Sequence, residues 1–155
     1  MENYMKLEIA AVGENESFAR SAVAAFALTL NPSLSELSDI KTAVSEAVTN
    51  CIVHAYAGGS AQNKILIECY TQNRALDNGQ TRGELHIQIT DYGCGIEDIS
   101  LATTPFFTTL AGEERSGMGF TIMLTFMSDF SVESQVGKGT KVHMSKIIGD
   151  RESAA

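Results

Sequence analysis

The stretch SLSELSDIKTAVSEAVTNCIVHAYAGG, residues 33–59, decides the fold. Ser33 followed three residues later by Glu36 is the pattern of a capping box, in which each side chain satisfies the other residue's backbone N–H. A helix therefore starts here. Leu37, Ile40, Val44, Val48 and Cys51 then recur at three- and four-residue intervals, and Ala47 and Ala55 widen that apolar stripe. Asp39, Thr42, Glu46, Thr49 and Asn50 are expected on the opposite side, with His54 continuing the row of Glu46 and Asn50. The helix is expected to run to about Ala57, where Gly58-Gly59 ends it. An amphipathic helix of this length needs a layer to cover.

Working outward, residues 6–11 alternate Leu7 and Ile9 against Lys6 and Glu8, the period of a half-buried strand. Residues 14–30 read as a first helix, stopped by Asn31-Pro32 because proline cannot continue it. Beyond the long helix, residues 64–71 and 84–90 read as strands. The polar stretch 72–83 between them reads as a long hairpin connection with Asn78-Gly79 near its tip. Residues 103–115 show little periodicity, a helix resumes over about 117–127, and strands at 130–135 and 140–148 flank Gly137-Lys138-Gly139. The order β-α-α-β-β-loop-α-β-β is neither strand–helix alternation nor all-β. It predicts an α+β, two-layer sandwich with helices on one face of a mostly antiparallel sheet.

The chain has 155 residues, and 11 Lys+Arg against 19 Asp+Glu give a formal net charge of −8. That length suits one domain, expected over residues 1–148, with a frayed tail at 149–155. The acidic balance argues against tracking a nucleic-acid backbone directly. It leaves open a polyphosphate held by backbone N–H groups and a metal ion. Cys51, Cys69 and Cys94 form no CxxC pair, which points away from a disulfide framework or zinc ribbon and toward a reducing, cytoplasmic compartment. The N-terminus lacks the apolar core of a signal peptide, and the longest apolar run, 22–30, is too short to span a bilayer.

Three glycine clusters and one helical pair carry the chemistry. Glu46 and Asn50, one helical turn apart, set a proton acceptor beside a neutral oxygen ligand of the kind Mg²⁺ takes alongside water and phosphate. Asp91-Tyr92-Gly93-Cys94-Gly95 follows a strand; a carboxylate there can accept from an exocyclic amine, and the glycines let a ring approach the backbone. Arg115-Ser116-Gly117-Met118-Gly119 opens a helix, whose unpaired N–H groups bind anions. Gly137-Lys138-Gly139-Thr140 is equally well explained by a hairpin turn. No Walker A motif and no eukaryotic-type kinase signature occurs. Taken singly, each cluster has an ordinary structural explanation as a turn or a solvated helix face.

In this order and spacing the pieces resemble the ATP-binding fold shared by gyrase, Hsp90, histidine kinases and MutL, the Bergerat-type fold with its mixed sheet. Within it, Glu16-Ser17-Phe18-Ala19-Arg20, Ser45-Glu46-Ala47-Val48-Thr49-Asn50, Phe107-Thr108-Thr109 and Glu114-Arg115-Ser116-Gly117-Met118-Gly119-Phe120-Thr121-Ile122-Met123 closely resemble the sporulation anti-sigma F factors. The resemblance spans about residues 7–148. It implies an ATP-dependent serine kinase that holds a sporulation sigma factor inactive and phosphorylates a serine of a competing anti-anti-sigma protein, acting as a homodimer without membrane or direct nucleic-acid contact.

The same resemblance implies residue roles. Asn50 would help hold Mg²⁺ on the ATP phosphates, and Glu46 would act as general base or orient the serine hydroxyl. Asp91 would bond the adenine amino group, Gly93 and Gly95 would make room for the base, and Thr140 would complete that side. Residues 103–115 resemble an ATP lid, with Thr108 and Thr109 among the nucleotide-binding positions and Arg115 a partner for phosphate charge. Ser116, Gly117, Met118 and Gly119 would cradle the phosphates, and Arg20 would face the protein partners. Two departures stand out: Leu110 follows the Thr pair where the family carries lysine, and the 72–83 connection is longer than usual. The alternative from another functional class is a nucleotide-binding module that sequesters sigma without catalysis; Glu46 favours the kinase, because a pure binder needs no base. A sensor-kinase module would need a preceding helix with a phosphoacceptor histidine, and a gyrase- or Hsp90-like ATPase would need transducer domains. His86 and His143 carry no expected role.

Overall fold

The computed structural model describes residues 1–97 and 119–149. Strand β1 (Asn3–Ala11) leads into α1 (Glu14–Ala27), a short 3₁₀ turn (Leu28–Leu30) and α2 (Leu34–Asn50). β2 (Ser60–Ala75) and β3 (Thr81–Asp91) follow, then α3 (Gly119–Phe126), β4 (Asp129–Gln135) and β5 (Gly139–Ile147). The sheet order is β1-β2-β3-β5-β4, and all four pairings are antiparallel. Among the described residues the sheet is thus wholly antiparallel rather than mixed, and the α+β two-layer architecture holds.

The capping box forms as expected. Ser33 Oγ accepts from the Glu36 N–H at 3.1 Å, and Glu36 Oε1 accepts from the Ser33 N–H at 2.9 Å. The other oxygen of the buried Glu36 takes the Gly149 N–H at 2.7 Å, so the chain is tied to α2 where the tail begins. Residues 150–155 lie outside the described residues. α2 lies between α1 and α3, and this widens its buried side: Thr49, expected on the polar face, is buried with Val48. Asp39, Thr42, Glu46 and Asn50 stay partly exposed. After Asn50 the winding loosens into a π turn (Cys51–Ala55), a feature that recurs at functional sites.

The core lies between the helices and one face of the sheet. Ile65, Ile67 and Cys69 of β2, Leu85, Ile87 and Ile89 of β3, and Val142 and Met144 of β5 meet Val23, Ile40, Val44, Val48 and Met123 there. Register aligns the sheet members, with Ile67 opposite Ile89 and Ile87 opposite both Cys69 and Met144. One-face burial fixes this register, because a one-residue slip would turn every apolar side chain outward.

The β2–β3 hairpin corrects the expectation of a long connection over 72–83. Pairing continues through Gln72–Glu84 and Arg74–Arg82 to Ala75–Thr81, leaving only five residues, 76–80, as the turn. Polar side chains hide this extension from a search for apolar alternation. On the face away from the helices, Gln72 Nε2 and Arg74 donate to Glu84 at 2.8 and 2.7 Å, so charge and hydrogen bonding take the place of burial. His86 and His143 join the same cluster. His86 Nε2 lies 2.7 Å from Glu84, and its Nδ1 lies 3.0 Å from His143 Nε2. Tyr70 stacks on His86 with centroids 4.5 Å apart.

Candidate functional site

Asp91 ends β3 and is only 5% exposed. Its Oδ1 accepts the backbone N–H groups of Gly93 at 3.0 Å and Thr140 at 3.3 Å. Burial pushes its pKa up, and the bonds from Gly93, the Cys51 thiol and Thr140 pull the other way without cancelling that rise. An ionised carboxylate offers about four acceptor positions. Three donors leave room for another, so the group fits a ligand N–H. Two predicted base-side residues, Asp91 and Thr140, therefore meet directly.

The loop after Asp91 is stitched on two sides. Toward α2, the Cys94 N–H donates to Ala55 O at 3.2 Å, and the Tyr92 N–H donates to the Tyr56 hydroxyl at 2.7 Å. Toward the β4–β5 hairpin, the Gly137 N–H donates to Cys94 O at 2.8 Å, and the Ile96 N–H donates to Ser134 Oγ at 2.7 Å. Ser134 Oγ lies 2.8 Å from Thr140 Oγ1, linking this stitch to the Asp91 partner. Glycine is required at both stitched positions. A Cβ on Gly93 would strike Ala55 O; one on Gly95, which also has φ +77°, would strike Gln135 O. Both glycines therefore admit the close approach of neighbouring backbone.

The helical side of the site comes from α2. Glu46 and Asn50 lie on its last turns, partly exposed, and Asn50 immediately precedes the π turn. Cys51, the next residue, is buried and contributes its thiol to Asp91, so the predicted metal-side and base-side groups belong to one connected structure. Burial, then the Asp91 charge, raises the Cys51 pKa well above the usual thiol range and keeps it a neutral donor. Arg20 reaches Glu16 at 3.3 Å and Ser45 at 3.4 Å, which docks α1 beside Glu46. Gly119 opens α3. Thr108, Thr109, Leu110, Arg115, Ser116, Gly117 and Met118 lie outside the described residues.

Tyr56, Cys51 and Ser134 were not singled out from the sequence. Cys51 was read as one more apolar position, Ser134 as an ordinary strand residue, and Tyr56 as part of a helix end. Their roles depend on partners 35 or more positions away or on the β-hairpin register, which local spacing does not carry.

Comparison with known proteins bears on the same span. Residues 9–146 match the family model of the histidine kinase-like ATPase domain. An anti-sigma F factor of Caldanaerobacter subterraneus subsp. tengcongensis is 52% identical over 147 residues, covering 95% of both chains. One from Geobacillus kaustophilus is 47% identical over 151 residues, covering 96% of this chain and 94% of the relative. Among solved structures, the RsbU and RsbW domains of Rv1364c from Mycobacterium tuberculosis align with a TM-score of 0.60 at 14% identity, covering 94% of this chain and 32% of that one, a likeness of fold. The chain belongs to the anti-sigma F factor family and is built on a histidine kinase-like ATPase domain.

Proposed function

We propose that the protein binds Mg-ATP beside Asp91, sequesters a sporulation sigma factor, and phosphorylates a serine on that factor's anti-anti-sigma antagonist. The observation that carries the nucleotide reading is the buried Asp91 carboxylate, held by two backbone N–H groups and still able to accept another hydrogen bond. The anti-sigma reading rests on relatives about half identical over nearly the whole chain. No helix of the described residues is long and apolar enough to cross a membrane. We place the protein in the cytoplasm, as a homodimer, with no direct contact to nucleic acid.

In this reading Asp91 accepts the adenine amino group, and Thr140 steadies the carboxylate through its N–H. The Asn50 amide oxygen would help hold Mg²⁺ on the ATP phosphates. Among the described residues no group of three or more His, Cys, Asp or Glu is arranged to hold a metal, so such an ion would complete its shell with phosphate and water. Glu46, one turn away on the same helix, takes the proton of the attacking serine hydroxyl or orients it. Bound Mg-ATP supplies the phosphoryl group. Backbone N–H groups at Gly117 and Gly119, flanked by Ser116 and Met118, receive the phosphates. Arg115 would offset phosphate charge, and Thr108 and Thr109 would be among the nucleotide-binding residues. Phosphoryl transfer depends chiefly on positioning and charge stabilisation, so these groups suffice. Arg20 contributes to the partner-binding face.

Purified protein incubated with Mg-ATP and its cognate antagonist should yield phosphoserine detectable by mass spectrometry. Glu46→Gln should abolish that product while largely sparing ATP binding. ATP binding without phosphoserine in the wild-type protein would overturn the kinase and leave a sequestering module.

A further inference from the structure

β2 and β3 pair without interruption from Ala75 opposite Thr81 to Ile65 opposite Asp91. The next pair in that register would be Lys64 opposite Tyr92. At that position the ladder is not closed directly. The Tyr56 hydroxyl accepts the Tyr92 N–H at 2.7 Å and donates to the Lys64 carbonyl at 2.6 Å. One oxygen thus stands where a strand-to-strand hydrogen bond would otherwise form. Lys64 keeps its pairing with Ala10 of β1, so the sheet continues on that side while β3 is turned away.

The local chain holds this hydroxyl in place. The Tyr56 N–H bonds Cys51 O at 3.0 Å, the five-residue step of the π turn, and Gly58 closes back to Ile52 O at 2.8 Å. Ala57 with φ 49° and Gly58 with φ 103° then reverse the chain, leaving Tyr56 packed partly against the core. Burial raises the phenol pKa further, so the hydroxyl keeps the proton it donates to Lys64.

We propose that Tyr56 is a positioning residue whose hydroxyl wedges the β2–β3 ladder open just past Asp91 and so sets the place of the loop, residues 92–95, that receives the purine base. This rests on the reading of Asp91 as the base-binding carboxylate. Without the hydroxyl, Tyr92 is free to zip onto Lys64. One further ladder pair would draw Gly93 and Gly95 away from Ala55 and Gln135, which they touch too closely to tolerate a Cβ. Asp91, bonded to the Gly93 N–H, would turn with them. The effect belongs to base recognition and leaves the phosphate contacts alone.

The test is calorimetric titration of the full-length protein with Mg-ATP and with Mg-GTP, in the wild type, Tyr56→Phe and Asp91→Ala. Tyr56→Phe should weaken ATP binding about tenfold and leave GTP within about twofold, so the preference for adenine falls about tenfold. A merely structural role would lower the melting temperature without moving that preference. Should Tyr56→Phe be too unstable to titrate, Tyr56→Met, which also lacks the hydroxyl but keeps an adaptable apolar side chain, takes its place and should show the same loss of preference. A preference retained in these variants but lost in Asp91→Ala overturns the wedge and leaves the base reading standing. A preference retained in Asp91→Ala overturns the base reading, and the wedge with it.

Discussion

Strand β3 carries a buried carboxylate at each end, and the two are supplied in opposite ways. Glu84, 1% exposed, receives side-chain donors from Gln72, Arg74 and His86. Asp91, 5% exposed, receives two backbone N–H groups and a thiol, with no cation among these partners. Burial pushes both upward, but at Glu84 the hydrogen bonds and the His86 charge win and hold its pKa below the usual carboxylate range, whereas at Asp91 burial wins. A buried charge satisfied by side chains on its own sheet is part of the structure. A buried charge left short of donors is poised for a ligand to complete.

The comparison can be broken most forcefully at Glu84. Glu84→Ala removes three hydrogen bonds and should lower the unfolding free energy by about 2–3 kcal/mol, read by urea denaturation, while ATP affinity stays within about twofold. Loss of nucleotide binding in a well-folded Glu84→Ala protein would erase the distinction between the two ends. Asp91→Asn should do the reverse. It removes a carboxylate whose ionised form is disfavoured by burial, so stability at neutral pH should stay within about 1 kcal/mol of wild type. A stability loss comparable to that of Glu84→Ala would make Asp91 structural too.

Acid sharpens the contrast with smaller effects. Burial, and then the His86 charge, hold the His143 pKa below the usual imidazole range. A group depressed in this way contributes stability above its unfolded pKa and loses it as the pH falls through the folded one. Glu84 follows the same sign at lower pH, whereas Asp91, with its raised pKa, destabilises the fold as the pH rises through that value. Stability should therefore begin to fall as the pH drops below about 6.5, the ordinary imidazole value, and fall further in the carboxylate range. His143→Asn should remove the first step alone, and an unchanged acid profile in that variant would exclude His143 from the network's pH response.

What the sequence made legible follows the same division. The capping box at Ser33 and Glu36, the apolar stripe of α2 and the alternation in β2 and β3 report burial against one layer, and burial leaves a period in the sequence. Asp91, Gly93 and Thr140 read singly as turn residues and draw notice only through the order of the motifs; the structure brings the three together at the Asp91 carboxylate. The extension of β2 to Ala75 was not legible, because its stability comes from polar groups paired across strands at Gln72, Arg74, Glu84 and His86. Thr49 was misplaced because a second helix packs beside α2. Tyr56 was missed because its partners, Lys64 and Tyr92, meet it only after the sheet is assembled.

The most direct test of the account is to titrate Mg-ATP into Asp91→Asn and Glu84→Gln side by side with wild type. Losing one charge-assisted hydrogen bond to the base should weaken binding about a hundredfold in Asp91→Asn, while Glu84→Gln stays within about twofold. Wild-type affinity in Asp91→Asn, or an equal loss in both variants, would contradict it.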